Sequence, residues 1–327
     1  MMCKESALYR DPVIDGGTRL LVVAPHPDDE SLAAGMLIQR TLAQGGRADV
    51  LLLTDGDNNP WPQRWLERRV LIDAAARRRW GARRRREVAG ALGRLGVPPD
   101  QLHALGWHDM QVTDELRLRH TAALTSVKRV IERVRPTLVV IPDLGDAHPD
   151  HGSAHVLARL ALAAAGSTAD ILTYMVHGTE RSAPDDLIVP DLDAERQATK
   201  LAAVLEHETQ VALSRKRMLA VASRPERFDR PAAAPGTGLL PLPWHPGVLA
   251  RRRLRIVVAD GQGVVAWPWR KAPLEAVDGG WQLRLRGAPG PAFVKLTADL
   301  ATPWIYDHYG WACEAPEPAG LVARTVG

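Results

Sequence analysis

Three short apolar runs constrain this chain more than anything else in it: Arg19–Ala24 (RLLVVA), Ala48–Thr54 (ADVLLLT) and Leu138–Pro142 (LVVIP). Each is too short for a stable helix and lacks the polar alternation of a half-exposed strand. Such runs are strands covered on both faces, as in a parallel sheet. Helical stretches separate them. Ser31 to about Gly45 places Leu32, Met36, Leu37 and Thr41 at helical spacing and stops at Gly45-Gly46. Trp61–Leu95 reads as helical with an interruption near Gly81, Leu116–Val134 as an amphipathic helix ending before Pro136, and Gly152–Ala165 as a further helix. Gln101–Leu105 and Ile171–Val176 add shorter strands, and Asp55–Pro62, rich in Asp, Asn, Gly and Pro, is a loop. The alternation predicts an α/β fold, Rossmann-like, with a mostly parallel sheet flanked by helices.

The texture changes after about Phe228. Residues 230–246 are heavy in Pro, Gly and Ala and read as a linker between a domain at 1–229 and a small β-rich appendix at 247–327. The runs RIVVAD, GVVAWPW, WQLRLRG and FVKLTADL predict short antiparallel strands there. The appendix tryptophans and Tyr306 suit either a packed core or an interaction surface.

Bulk properties narrow the chemistry. Of 327 residues, 46% are hydrophobic and 24% charged, the balance of a soluble globular protein rather than a disordered one. A formal charge of +4 is modest for this length and does not argue for nucleic acid as a partner. With only two cysteines, Cys3 and Cys313, neither a disulfide framework nor a Cys-rich metal site can form, so any metal must use His and carboxylate. The N-terminal MMCKESALYRDPVIDGG has no apolar run and no small-residue cleavage site, and no window approaches a membrane span. A cytoplasmic protein is expected, with peripheral membrane contact left open.

Two polar clusters each follow a buried strand: Pro25-His26-Pro27-Asp28-Asp29-Glu30 after the first, and His148-Pro149-Asp150-His151 after Leu138–Pro142. Ligands in open α/β sheets bind at the carboxyl ends of strands, so the two clusters are expected to meet despite their separation in sequence. A catalytic zinc needs about three His or carboxylate ligands and an open position, and the clusters supply these with an acid and a base to spare. Pro25 and Pro27 restrict the backbone on both sides of His26. Taken singly, either cluster is equally a polar turn with an Asp helix cap; their pairing is what points to a site.

The paired motifs resemble those of the PIG-L/LmbE-like zinc deacetylases, over about Arg19 to Leu219. Supporting positions are Thr54-Asp55-Gly56, the stretch from Arg84 through Glu87 and Ala91 to Leu95-Gly96, Gly106-Trp107-His108-Asp109, and Lys200, Ala203, His207 and Gln210, with Thr209 where Ser is commoner in the family. The resemblance implies an LmbE-like fold and removal of acetyl from an N-acetylated amino sugar or its conjugate. It implies Zn2+ held by His26, Asp29 and His151. Asp28 would be the base that activates water, His148 the group that polarises the amide oxygen or protonates the amine, and Asp150 the residue that orients a catalytic histidine. Arg84 and Asp109 would contact substrate. Glu30 has no assigned role.

The run Arg77–Arg86 has several readings: a nucleic-acid patch, a site for an anionic substrate, a membrane contact, or a solvated helix face. Helical spacing spreads these arginines around the axis, so they cannot all face one ligand. Trp61 and Trp65 suit packing or a sugar platform, and Trp80 packing. Among the isolated histidines, His177 alone is a candidate for the pocket wall. Competing functions are an amidase on a larger conjugate, such as a thiol-sugar, and a non-catalytic carbohydrate- or lipid-binding protein. Small N-acetyl-sugar-type molecules are the expected partners, an anionic or lipid-linked one included; no nucleic acid is expected, and the oligomeric state is open.

Overall fold

The strand Arg19–Ala24 lies at the centre of a five-stranded sheet. The computed structural model describes residues 13–178, 187–189, 193–234, 236–298 and 309–313; Cys3 and Tyr306 lie outside them. In chain order the first elements are β1 (Arg19–Ala24), α1 (Asp29–Ala43), β2 (Arg47–Thr54), α2 (Pro60–Glu67), α3 (Ala74–Arg94), β3 (Leu102–Trp107), α4 (Val112–Leu118), α5 (His120–Val134), β4 (Leu138–Pro142), α6 (Pro149–Ala164) and β5 (Asp170–Tyr174). Then come β6 (Leu187–Val189), α7 (Ala194–Glu206), α8 (Glu208–Ala222) and β7 (Glu226–Phe228). All pairings in the central sheet are parallel, in the order β3-β2-β1-β4-β5. The α/β reading of the sequence therefore holds.

Helices cover both faces. Leu20 and Val22 face one apolar cluster with α1 and α3, while Leu21 and Val23 face another with α4, α5 and α6. This double burial, at about 1.5–3 kcal/mol per large side chain, is why the strands read as continuous apolar runs. The chain runs outward from β1 to β2 and β3, then returns to β4 on the other side of β1. That reversal opens a crevice at the carboxyl ends of β1 and β4, where both polar motifs begin.

Several boundaries differ from expectation. The helical break falls at Arg68–Asp73, not near Gly81. Arg68 takes a left-handed conformation (φ 51°) that ends α2, whereas Gly81 is buried inside α3, where a Cβ would stand 3.0 Å from Asp55 Cβ. The segment read as one helix at 116–134 is two, α4 and α5, joined at Arg119. Among the described residues no helix is long and apolar enough to cross a membrane.

The C-terminal region contains β8 (Leu239–Pro241), β9 (Leu254–Asp260), β10 (Gly263–Pro268), β11 (Leu274–Val277), β12 (Gly280–Arg284), β13 (Phe293–Ala298) and β14 (Trp311–Ala312). They form antiparallel sheets in the orders β10-β9-β13-β14 and β11-β12-β8. β8 lies inside the segment expected to be a linker. Alternate residues of β9 and β13 serve two cores. Val257, Ala259 and Phe293 join the cluster of α5 and α6, while Ile256, Val258, Val294 and Leu296 join the appendix's own.

Candidate metal centre and active site

Among the described residues, the turn after β1 holds the non-glycine residue furthest into positive φ. Asp28 sits at φ 130°, ψ −26°, a region costing a non-glycine residue about 1–3 kcal/mol. The surroundings hold it there. The Asp28 N–H donates to Glu30 Oε2 (3.0 Å), its carbonyl accepts from Leu32 N (2.9 Å), and Arg84 donates to the Pro27 carbonyl. The consequence is that adjacent carboxylates diverge. Asp29 is buried against two histidines, whereas Asp28 lines an open cavity with Arg84 3.6 Å from its Oδ1.

Asp29 Oδ2 lies 3.4 Å from His26 Nδ1 and 3.3 Å from His151 Nε2, and the two imidazole rings stack with centroids 5.4 Å apart. On the far side of His151, Nδ1 meets Asp146 Oδ2 at 3.1 Å, which assigns the ring proton to Nδ1. Its Nε2 is buried with no hydrogen-bond partner among the described residues. An imidazole oriented by a carboxylate, with its other lone pair unused and facing a second carboxylate, is the arrangement a metal-ligating histidine takes. The fold thus brings the three predicted residues together, with Asp29 Oδ2 between the two imidazoles. Among the described residues, three groupings bring their ligand atoms close enough for one ion, His26–His148–His151, Asp146–His151–His177 and His26–Asp109–Asp150, and the predicted trio is not one of them.

The remaining predicted residues surround this point. The Asp150 carboxylate accepts the backbone N–H groups of Met110 (2.7 Å) and Val112 (3.1 Å) and stands 3.2 Å from His26 Nε2. Its carboxylate therefore stands beside His26, and it reaches His148 through its backbone N–H, which donates to Nδ1 (3.2 Å). His148 caps α6 by that bond, so its proton is on Nε2. Asp109 Oδ1 is 3.2 Å from His26 Nε2, and Asp109 also lines the cavity. Arg84 is 3% exposed and its guanidinium is engaged by Gly56 O (2.9 Å), Pro27 O and Asp28. Gly56, at φ 59°, leaves the room the guanidinium occupies: a Cβ there would stand 1.8 Å from Arg84 Nη1 and displace it.

Electrostatics favour positive charge at the centre. Burial opposes charging of His151, but Asp29 and Asp146 outweigh it and raise its pKa to about 10. Asp109 likewise overcomes burial and holds His26 well above its usual value. A bound cation would take the place of these protons. His148 is the opposite case: burial, reinforced by His26 and His151, pushes it down to about 2, so it is neutral. Burial pushes Asp28 up to about 6, with Arg84 opposing.

Two partners escaped the sequence reading. Asp146 gathers four donors: His148 N–H on Oδ1 (2.9 Å), and His151 Nδ1, Val176 N–H (2.9 Å) and His177 N–H (3.0 Å) on Oδ2. Its only local signal is an acid two residues before His148. Glu30, left without a role, accepts from Ser31 Oγ (2.6 Å), pairs with His207 Nε2 (3.0 Å) and holds the Asp28 N–H. The cavity measures about 220 Å³, and its wall includes His177, Gln210 and Arg217. A second hollow of about 570 Å³ shares Leu32, Val176 and Val221 with it. The arginine run is divided, with Arg83 on Glu87 and Glu208, Arg85 on Asp55, and Trp80 wholly buried.

Residues 21–162 match the family model described as PIG-L: GlcNAc-PI de-N-acetylase. A 1D-myo-inositol 2-acetamido-2-deoxy-alpha-D-glucopyranoside deacetylase from Mycobacteroides abscessus is 30% identical over 235 residues, 60% of this chain and 82% of that protein. The enzyme of the same name from Rhodococcus jostii is 34% identical over 163 residues, 46% of this chain and 54% of that protein. The chain thus spans most of the first relative and about half of the second. The fold is like that of N,N'-diacetylchitobiose deacetylase from Pyrococcus horikoshii, at a TM-score of 0.50 and 20% identity over 64% of this chain and 82% of that one.

Proposed function

The chain belongs to the PIG-L/LmbE-like deacetylase family, and we propose that it hydrolyses the acetamide of an N-acetylated amino-sugar conjugate with the help of one zinc ion. The observation that carries this reading is the divergence of Asp28 and Asp29. One carboxylate joins His26 and His151 around a point that attracts a cation, and its neighbour is turned into the cavity beside that point. Two imidazoles and one carboxylate are a donor set suited to catalytic zinc. Zinc held there would acidify the attacking water and polarise the amide carbonyl.

The chain's own groups supply the remaining chemistry. Asp28, with a pKa near 6, is ionised at neutral pH yet basic enough to take the proton of the attacking water. His148, neutral and protonated on Nε2, donates a hydrogen bond to the developing oxyanion without giving up its proton. The proton held by Asp28 then passes to the departing amine, which leaves poorly without it. Arg84 holds the strained turn that aims Asp28. The relatives' named substrate, a 2-acetamido-2-deoxyglucopyranoside of inositol, makes an N-acetylated sugar conjugate the class to test first. The adjoining hollow has room for the rest of a larger conjugate.

The test is acetate release, with equimolar amine, from a panel of N-acetylated sugars, nucleotide sugars and sugar–inositol conjugates. About one zinc per chain is expected. Asp28→Asn should keep the metal and lose about 10²–10⁴-fold in turnover. Full activity in that variant would remove Asp28 from the mechanism. Zinc retained by His151→Ala would displace the ligand set.

A further inference from the structure

The helix α2 is amphipathic in the wrong sense. Its buried residues are Pro62 and Gln63, the latter donating to Ala76 O of α3 (2.8 Å), while Trp61 and Trp65 are 68% and 67% exposed. Four residues apart on a helix, the two indoles share one face. The turn after α2 adds two more exposed apolar side chains, Val70 and Leu71, 81% and 84% exposed. Arg64 ties the parts together, its guanidinium over the Trp61 ring at 5.1 Å and its Nε donating to Val70 O (2.9 Å). Helices of soluble domains normally point such residues inward, and a contiguous exposed apolar patch marks a contact surface.

The patch is also basic. Residues 61–80 contain six arginines against Glu67 and Asp73, a net +4 equal to the formal charge of the whole chain. Arg68, Arg69, Arg77 and Arg78 are exposed. The patch borders the cavity: Asn59, just before α2, lines it, and α2 packs on α8, which contributes Gln210, Ser214, Arg217 and Met218. On its outer side α8 exposes Leu213, Arg215 and Lys216.

We propose that α2 and the turn after it dock the protein on an anionic lipid surface, with the cavity mouth beside the contact. Tryptophan indoles settle at the headgroup level of a bilayer, and arginines are attracted to anionic headgroups. A nucleic-acid duplex would use the arginines but leave Val70 and Leu71 without a partner. A plain solvated face would not carry two outward indoles. The inference stands on this surface alone and does not depend on the deacetylase reading.

Co-sedimentation of the full chain with phosphatidylcholine vesicles, with and without added phosphatidylglycerol, tests it. Binding is expected only to the anionic vesicles and should weaken as salt rises. Arg68→Ser and Arg69→Ser should each lower partitioning about fivefold. Trp61→Ala with Trp65→Ala should lower it at least about tenfold. These side chains are exposed, so unchanged thermal unfolding verifies the fold; Leu71→Ser, with an expected loss in the same direction, is a second probe. The proposal is overturned by absence of binding to the anionic vesicles, or by binding that survives the double tryptophan change. It is also overturned if that change instead converts an oligomer to a monomer in sedimentation velocity, or abolishes duplex DNA binding in a protein that ignores vesicles.

Discussion

Asp146→Asn isolates the residue that orients His151 in the proposed metal centre. The carboxylate accepts one donor on Oδ1, the His148 N–H, and three on Oδ2, from His151 Nδ1, Val176 N and His177 N. Asparagine keeps the shape but turns one oxygen into a donor. With the amide nitrogen in place of Oδ2, three donors lose their acceptor; in place of Oδ1, one does. The second orientation is the cheaper. It leaves one buried backbone N–H unsatisfied at about 1–3 kcal/mol and weakens the charge-assisted bond to His151. The folded state should therefore lose about 2–4 kcal/mol in urea titrations. Zinc affinity, measured by competition with a chromophoric chelator, should fall about 10–100-fold, the usual effect of losing a ligand's carboxylate partner. Asp146→Ala orphans all four donors and should cost more than either figure. A folded Asp146→Asn protein that binds zinc within about twofold of wild type would refute the argument that this carboxylate fixes His151.

Three further outcomes follow from other contacts. Arg84 holds the Asp28 pKa down against burial, so Arg84→Met should raise it and move the acid limb of the kcat/KM profile to higher pH; an unmoved limb would contradict this. Lys200 and Glu226 form a wholly buried pair (2.7 Å), so Lys200→Met should cost about 3–5 kcal/mol in urea unfolding at neutral pH. Burial already raises Glu226 and Lys200 opposes that rise. Without the lysine the folded variant retains a proton that the unfolded chain releases. The loss should therefore grow as pH climbs from the ordinary carboxylate range through the raised value, and a pH-independent loss would count against the pairing. Trp311 donates to Ser153 Oγ (3.0 Å) and packs on Gly152, so Trp311→Ala should cost about 3–5 kcal/mol, with the whole chain unfolding in one transition. Two separate transitions would mean that the C-terminal sheets are energetically independent.

The sequence by itself determined the parts governed by local pattern. Burial on both faces leaves a strand no polar positions, so β1, β2 and β4 were legible to within a residue or so, and the parallel sheet followed from their alternation with helices. That His26, Asp28, Asp29, His148, Asp150 and His151 would gather in one place was legible because each motif is contiguous and follows a buried strand. Tertiary structure decided what pairs with what. Asp146 looks like a loop acid until β4, β5 and α6 place four donors around it. Glu30 looks like a helix-capping acid until α7 brings His207 to it. Arg84 lines the cavity, as a residue expected on substrate would, but that the positive-φ glycine at position 56 also admits its guanidinium to the backbone of the Asp28 turn was not legible. The C-terminal strands were visible as strands; that alternate residues of β9 and β13 complete the core over α5 and α6 was not. Periodicity records which face of an element is apolar, whereas the surface that covers it depends on how residues far apart in the chain come to pack.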